Sequence, residues 1–254
     1  MKKKIHSNNI IKHEKRTTYR LNKFISDSGL YSRREADRLI ESNKVYVNGK
    51  LATLGMQVNP NEDIVKVNNK EIKINNKKVY ILLNKPKGIT CTTDLKIKDN
   101  IIDYMKYDET IFPVGRLDKD STGLIILTND GDIVNKILRE EYGHEKEYLV
   151  TVDKKITKEF LNNLRNGVVI LNYVKKSYEK TLPCKVYQVN DNQFRIILKQ
   201  GLNRQIRRMT EKLNYKVIDL KRIRIMSITD SNLKIGDWRY LTNEELFDIN
   251  EKIK

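Results

Sequence analysis

The arrangement of apolar segments after residue 78 constrains the fold more than any other feature of this sequence. Short runs rich in Val, Ile and Leu recur there between turn residues, a pattern typical of β-strands. We predict strands at residues 79–83, 124–127, 148–152, 186–189, 194–198 and 217–228, and helices at residues 132–139, 157–164 and 203–213. The helices do not alternate regularly with the strands. The sequence therefore predicts an α+β domain over residues 78–254, built on a mixed, mostly antiparallel sheet.

A smaller unit precedes this domain at residues 20–74. It carries two short helical patterns, and the second begins with a capping box formed by Ser32 and Glu35. The apolar positions of the two helices are Leu21, Phe24, Ile25, Ala36, Leu39 and Ile40. Alternating valines follow and reach Asn48-Gly49, a pair that readily adopts the left-handed backbone of a tight hairpin turn. We predict a small module of two helices followed by short strands.

The charge of the chain indicates a polyanionic partner. Lys and Arg number 50 against 33 Asp and Glu, so the net charge is +17, and nucleic acid matches it better than a membrane does. A basic arm at residues 1–19 is predicted to be flexible and is suited to phosphate contacts. Arg33, Arg34 and Arg38 form a stripe on the second helix that fits an RNA backbone, although a solvated helix face is the alternative interpretation.

The sequence offers little for membranes, disulfides or metals. No stretch is apolar enough to predict a membrane-spanning helix or a secretion signal. Cys91 and Cys184 lie far apart and lack a CxxC partner, so neither a disulfide framework nor a thiolate zinc site is predicted. The three histidines lack the spacing of metal ligands. We expect a cytoplasmic protein with no bound metal and no membrane partner.

A turn-rich segment at residues 113–123 carries two carboxylates and leads into an apolar strand. A calcium loop would begin at Asp118, but its twelfth position falls on Asn129, where a bidentate Glu is required. A pair of carboxylates suits a glycosidase, yet Asp118 and Asp120 are two residues apart on a turn and need not face one substrate. A structural Asx turn is a third interpretation. No Walker-type phosphate loop is present.

Four ordered motifs in the larger domain resemble those of the RNA pseudouridine synthases. They are Leu83-Asn84-Lys85-Pro86-Lys87-Gly88, Gly115-Arg116-Leu117-Asp118 with Ser121-Thr122-Gly123-Leu124, Glu147-Tyr148-Leu149-Val150, and Gly201-Leu202-Asn203-Arg204-Gln205-Ile206-Arg207-Arg208-Met209. The strand residues Arg224-Ile225-Met226 also match. The smaller unit resembles the alpha-L RNA-binding module. Within the family the chain is most similar to the RsuA branch and its RluF type, and Leu202 is one of the residues that carry this finer resemblance.

The resemblance implies a reaction and a catalytic set. Uridine is converted to pseudouridine without a cofactor: the N-glycosidic bond breaks, the uracil turns, and C5 joins C1′. Asp118 is implied as the reacting carboxylate, by attack on C1′ or by assisting loss of the 2′ proton, and the sequence leaves both routes open. Arg207 is implied as its ion-pair partner, because a positive neighbour favours an ionised carboxylate. Tyr148 is implied as the surface on which the extruded uracil stacks.

Further residues are implied to contact the substrate. Arg116 would fill the space left by the extruded nucleotide or bind its phosphate, and Leu198 would close an apolar wall of the pocket. Independently of the resemblance, Lys85 in a tight turn beside Pro86 is suited to contact the RNA backbone, and a plain surface hairpin is the alternative interpretation. The remaining residues assigned to RNA binding are Arg204, Gln205 and Arg208.

The resemblance also implies the partners of the chain. We expect large-subunit ribosomal RNA as the substrate, with transfer RNA as an additional candidate, and a monomer that needs no small-molecule cofactor. The alternative is a non-catalytic protein that binds ribosomal RNA, since the alpha-L module and the positive charge suit that role equally well. A nucleoside hydrolase is a third hypothesis, which free uracil as the product would reveal.

Overall fold

The computed structural model of the chain describes residues 10–11, 17–138, 143–173, 175–229 and 232–253. Most of the predicted basic arm lies outside these ranges. Its described residues Ile10 and Ile11 pack against the hydrophobic core of the larger unit, so this part of the arm is not free in solution. Within the described ranges, no helix is both long enough and apolar enough to cross a membrane.

The N-terminal unit follows its sequence pattern closely. Its helices are Leu21–Asp27 (α1) and Arg33–Glu41 (α2). Its strands are Tyr19–Arg20 (β1), Val45–Val47 (β2), Lys50–Leu51 (β3), Gln57–Val58 (β4), Val65–Val67 (β5) and Lys70–Ile72 (β6). The Ser32 hydroxyl accepts from the Glu35 amide at 3.2 Å, and the Glu35 carboxylate accepts from the Ser32 amide at 2.7 Å, which confirms the capping box. Asn48 and Gly49 have φ values of 50° and 80° in the β2–β3 turn.

The larger unit is built on a nine-stranded sheet. The strands of this unit are Tyr80–Lys85 (β7), Phe112–Val114 (β8), Thr122–Thr128 (β9), Lys146–Val152 (β10), Val169–Asn172 (β11), Ser177–Lys180 (β12), Lys185–Gln188 (β13), Gln193–Leu198 (β14), Val217–Ile225 (β15), Ile228–Thr229 (β16) and Trp238–Tyr240 (β17). The sheet order is β13-β14-β10-β15-β9-β7-β17, with β8 on β9 and β16 on β15, while β11 and β12 form a separate hairpin. Among the strand pairings of the described residues, only β9–β15 is parallel, so the predicted mixed, mostly antiparallel sheet is confirmed.

Five helices cover this sheet on its two faces. They are Ile101–Met105 (α3), Gly131–Leu138 (α4), Lys158–Arg165 (α5), Gln205–Lys212 (α6) and Asn243–Lys252 (α7). Apolar residues of α4 and α7 pack on one face, where they meet Tyr80 and Leu82 of β7. The alternate residues Ile81 and Leu83 face the opposite side and pack with α3. Residues of α5 and α6 cover the β10 and β14 part of the sheet, and Tyr148 contacts this cluster and the α3 cluster.

Two elements near the carboxyl-terminal half differ from their predicted bounds. The strand predicted at residues 217–228 stops at Ile225, because Met226 adopts a left-handed conformation with φ of 54° and the chain folds back into β16. The helix predicted from residue 203 begins at Gln205, since Arg204 is a left-handed N-cap with φ of 48°. This turn directs the start of α6 toward the loop between β8 and β9.

Candidate active site

The segment with two carboxylates is the loop between β8 and β9, at the junction of two core clusters. Two hydrogen bonds between the loop and residues outside it hold its backbone in place. The Gly88 amide donates to the Lys119 carbonyl at 2.8 Å, and the Leu117 amide donates to Cys91 Sγ at 3.4 Å. Within the loop, the Ser121 amide donates to the Asp118 carbonyl at 3.1 Å and closes a turn. The Asp118 side chain is 26% exposed. A fixed loop therefore presents a carboxylate that remains accessible.

Helix α6 supplies the positive charges around this loop. Arg207 Nε lies 3.8 Å from Asp118 Oδ2, and Arg204 Nη1 lies 3.6 Å from the same oxygen. Arg207 also donates to the Asp120 carbonyl and to Ser121 Oγ, both at 3.2 Å. The structure therefore places Arg207 beside Asp118, and Arg204, which the sequence analysis assigned to RNA, is a second cationic neighbour of this carboxylate.

Asp120 forms ion pairs with arginines at the start of α6 and so links this helix to the loop. Its carboxylate accepts two hydrogen bonds from Arg204, at 3.0 and 3.2 Å. Burial acts to raise the pKa of Asp120, but the hydrogen bond from Arg204 and the charges of Arg207 and Arg204 outweigh burial, so the pKa is lowered. Among the described residues, Asp118 has only the longer ion-pair contacts of 3.6 and 3.8 Å. The two carboxylates thus differ in their bonding, and of the two Asp118 is the one that lines the cleft described next.

A cleft opens beside the Asp118 carboxylate. Its lining residues are Arg116, Leu117, Asp118, Ser121, Tyr148, Leu198, Gln200, Gly201, Leu202, Arg204, Gln205, Ile206 and Leu220. Tyr148 of β10 is half-buried and pairs with Ile196 of β14, and Leu198 lies two residues further along that strand. The cleft wall is therefore apolar and aromatic, which suits a planar base, while the charged groups lie toward the loop and α6.

Gln205 shapes the edge of this cleft. It is buried, its Oε1 accepts from the Leu202 amide at 3.1 Å, and its Nε2 donates to Gln200 Oε1 at 3.2 Å. These bonds fix the segment that leads into α6. That Gln205 contacts RNA stays a prediction, and in the structure both ends of its amide bond to the protein.

Lys85 does not lie at the surface. Its side chain has no exposed area, and its Nζ donates to the carbonyls of Pro86 and Ile89 at 2.8 and 2.9 Å. Burial lowers the pKa of Lys85, while the nearby carboxylates of Asp120 and Asp118 act in the opposite direction. The prediction that Lys85 contacts the RNA backbone from a surface turn is therefore wrong, because the turn folds its carbonyls back over the ammonium group.

Arg208 and the three arginines of α2 are not among the residues that line the cleft. Arg208 donates to the carbonyls of Leu171 and Asn203 and lies 4.7 Å from the centroid of the Tyr173 ring. It therefore anchors α6 to the β11–β12 hairpin. The stripe on α2, which belongs to the N-terminal unit, is exposed at all three positions, Arg33, Arg34 and Arg38.

Gly123 has a role that the motif alone did not reveal. Its φ is 106°, and a Cβ atom at this position would lie 2.2 Å from the Arg222 carbonyl oxygen. Only glycine therefore lets β9 approach β15 closely at the end of the catalytic segment. The sequence signal is a glycine at the start of an otherwise apolar strand, which is typical of close backbone approach.

The cleft combines the carboxylate of Asp118 with an apolar and aromatic wall that can accept a flat base. Arg204 Nη1 and Arg207 Nε lie 3.6 and 3.8 Å from the Asp118 carboxylate. A carboxylate in this position can attack an electrophilic carbon or accept a proton from an adjacent one. Tyr148 offers its ring to a base that has left the RNA stack.

Comparison with known proteins assigns the chain to a family. The RNA pseudouridylate synthase family matches residues 79–212, and the S4 domain matches residues 20–64. The chain is 52% identical over 240 residues to the dual-specificity RNA pseudouridine synthase RluF of Escherichia coli K12, covering 94% of this chain and 80% of that protein. It is 36% identical to ribosomal large subunit pseudouridine synthase B of Bacillus subtilis, covering 89% and 93% of the two chains.

A solved structure agrees with these sequence relationships. A crystal structure described as a pseudouridylate synthase superimposes with a TM-score of 0.65 at 29% identity, covering 91% of this chain and 99% of that one. The predicted order of a small RNA-binding module followed by a catalytic domain is confirmed. The chain belongs to the RNA pseudouridine synthase family, in the RluF type of its RsuA branch, with an S4 domain ahead of the catalytic domain.

Proposed function

We propose that this enzyme converts a specific uridine of large-subunit ribosomal RNA to pseudouridine, with Asp118 as the reacting carboxylate. The observation that carries the proposal is the position of Asp118 at the cleft, beside the guanidinium groups of Arg204 and Arg207. The names of the E. coli and B. subtilis relatives support RNA and the large ribosomal subunit as the substrate class. A purely RNA-binding role has no use for such a cleft.

The proposed reaction begins when the target nucleotide leaves the RNA stack and its uracil stacks on Tyr148. Extrusion costs a few kcal/mol, and stacking on an aromatic ring returns about 1–3 kcal/mol. The C1′–N1 bond then breaks with its electron pair staying on uracil, the base turns, and C5 bonds to C1′. C5 loses its proton and N1 gains one. Asp118 acts by attack on C1′ or by accepting the 2′ proton.

Binding of the surrounding RNA is proposed to involve both domains. The three exposed arginines of α2 face solvent and are suited to phosphates, and Arg116 at the mouth of the cleft is suited to the phosphate of the extruded nucleotide. Residues 20–74 and 78–254 are proposed as the two domains, with 1–19 as an arm, because the core of the first unit is a separate cluster. Activity as a monomer is proposed as well.

The chemistry is tested with RNA that carries tritium at C5 of uracil. Because C5 loses its proton, the wild-type chain should release one tritium for each pseudouridine formed, and chromatography of the digested RNA should show pseudouridine but no free uracil. A matched RNA with tritium at C6 should release none. Binding without tritium release would contradict the enzymatic proposal, and free uracil would indicate a hydrolase instead.

The substrate is tested by pseudouridine mapping across total RNA. Cells that lack the gene should lose one or a few sites in large-subunit ribosomal RNA, and the wild-type gene should restore them. Because the E. coli relative is named dual-specificity, transfer RNA is mapped in the same experiment as the second candidate class. Loss of sites only in RNA other than the large-subunit species would contradict the proposed substrate.

A further inference from the structure

Arg222 lies beneath the cleft, in a row of residues that crosses the sheet. Directly paired residues of five neighbouring strands form this row: Lys85, Gly123, Arg222, Tyr148 and Ile196. Paired side chains lie on the same face of a sheet. Tyr148 lines the cleft, and so does Leu220, two residues before Arg222 on β15. Arg222 therefore lies on the cleft face, next to the stacking tyrosine.

Among the described residues, no carboxylate forms an ion pair with the buried charge of Arg222. The residue is 4% exposed, and its Nε donates to the Leu124 carbonyl at 2.6 Å. Its Nη2 is buried and has no hydrogen-bond partner among the described residues. Lys85, the other cation of the row, has the carboxylates of Asp120 and Asp118 nearby. Arg222 has no such neighbour among the described residues, and because a buried cation without an anion destabilises a fold, its position points to an anion that arrives with the substrate.

The anion can be identified by asking which negatively charged groups can come close to the buried Arg222 side chain. RNA phosphates approach from solvent, whereas Arg222 is buried beside Tyr148. Asp118 already has two cationic neighbours on α6. The remaining anion is the base itself, since cleavage of C1′–N1 leaves its electron pair on uracil and spreads the negative charge over N1, O2 and O4. Both routes at Asp118 produce this species.

We propose that Arg222 stabilises the uracil anion between cleavage of the C1′–N1 bond and formation of the C5–C1′ bond. The inference rests on the function proposed above. Arg222 does not line the cleft, so it acts through its electric field from behind Tyr148. A fixed charge in a site that excludes water is most effective where charge develops during the reaction.

The test compares Arg222→Gln with Arg222→Lys under single turnover at saturating enzyme. Gln removes the charge but keeps an N–H for the Leu124 carbonyl, whereas Lys keeps the charge. We expect Arg222→Gln to slow pseudouridine formation about 10- to 100-fold, and Arg222→Lys to recover at least half of that loss on a logarithmic scale. Arg195→Gln is the matched control, because that arginine is on β14 and its side chain is 50% exposed.

A second substrate separates an electrostatic role from a merely structural one. RNA with 5-fluorouridine at the target position yields a more stable base anion, because fluorine withdraws electrons, so C1′–N1 cleavage should depend less on Arg222. The rate with fluorouridine is measured as its consumption. The ratio of the wild-type rate to the Arg222→Gln rate should be at least threefold smaller with fluorouridine than with uridine. Equal ratios for the two substrates would overturn the proposal, and so would Arg222→Lys being as slow as Arg222→Gln.

Folding and basal activity are checked in the same series. If thermal melting shows that Arg222→Gln does not fold, the test uses Arg222→Lys with the two substrates instead. A smaller loss of rate relative to wild type on fluorouridine than on uridine supports the proposal, and equal losses overturn it. A wild-type chain that forms no pseudouridine would instead contradict the proposed function, which keeps the two failures distinct.

Discussion

Three arginines of the N-terminal domain and two arginines of the catalytic domain, Arg207 and Arg222, carry the same group in opposite surroundings. Arg33, Arg34 and Arg38 are exposed on α2, whereas the Arg207 side chain is 13% exposed and Arg222 is 4% exposed. Exposed charges attract phosphates weakly and lose strength as salt rises. Buried charges act on one or two neighbours and are screened little. In the proposed function, the exposed arginines of α2 serve RNA binding and the buried arginines near the cleft serve the reaction.

The largest difference between the two regions should come from Arg207→Met. Removing the guanidinium beside Asp118 should lower the single-turnover rate about 100-fold, with less than a threefold change in the Kd for RNA. Arg208→Met is the neighbouring control on the same helix, because Arg208 contacts the β11–β12 hairpin. A rate loss of equal size in both variants would show that α6 matters for folding rather than through the charge at Asp118.

Replacing the arginine stripe on α2 should weaken RNA binding and leave the reaction rate almost unchanged. The triple variant Arg33→Ser, Arg34→Ser, Arg38→Ser should raise the Kd for ribosomal RNA about 10-fold at low salt and flatten the salt dependence by about one unit of log–log slope per lost phosphate contact. The single-turnover rate at saturating enzyme should stay within twofold of wild type. An unchanged Kd and slope would mean that the stripe is a solvated helix face.

The smallest effect concerns Asp120 and acid stability. Its pKa is lowered in the folded chain, so its contribution to stability is present above the unfolded value of about 3.9 and disappears as the pH falls through the folded value. Asp120→Asn should lower the free energy of unfolding at pH 7 by less than about 1 kcal/mol, since the side chain is 49% exposed. Denaturant titrations should show this gap closing toward pH 3, and a gap that widens would contradict the assignment.

The features that could be predicted from the sequence are those set by neighbouring residues. The capping box of Ser32 and Glu35 and the turn at Asn48-Gly49 depend on neighbouring residues, and both are present as expected. Helix α7 had the same kind of signal, because Thr242 and Glu245 form a capping box, but the sequence analysis missed it. Short α3, only five residues from Ile101 to Met105, gave a weak periodic signal.

Long-range contacts explain what the sequence could not predict. The buried state of Lys85 depends on carbonyls that fold back over its ammonium group, although its neighbours look like those of a surface turn. The Arg204 side chain is more exposed than that of Arg207, and this difference depends on where the loop at Asp118 lies against α6. Gly123 opposes Arg222, about a hundred residues later, through the only parallel pairing in the described sheet.

Asp118→Asn gives the most direct measurement of the account, because it removes the reacting charge and keeps the shape of the side chain. Asp191→Asn is the matched control, since Asp191 is 77% exposed and pairs only with Lys155 among the described residues. With tritiated RNA at saturating enzyme, Asp118→Asn should release no tritium above background while Asp191→Asn matches wild type, and both should bind RNA as the wild type does. Tritium release by Asp118→Asn within tenfold of the wild-type rate would contradict the central role of this carboxylate.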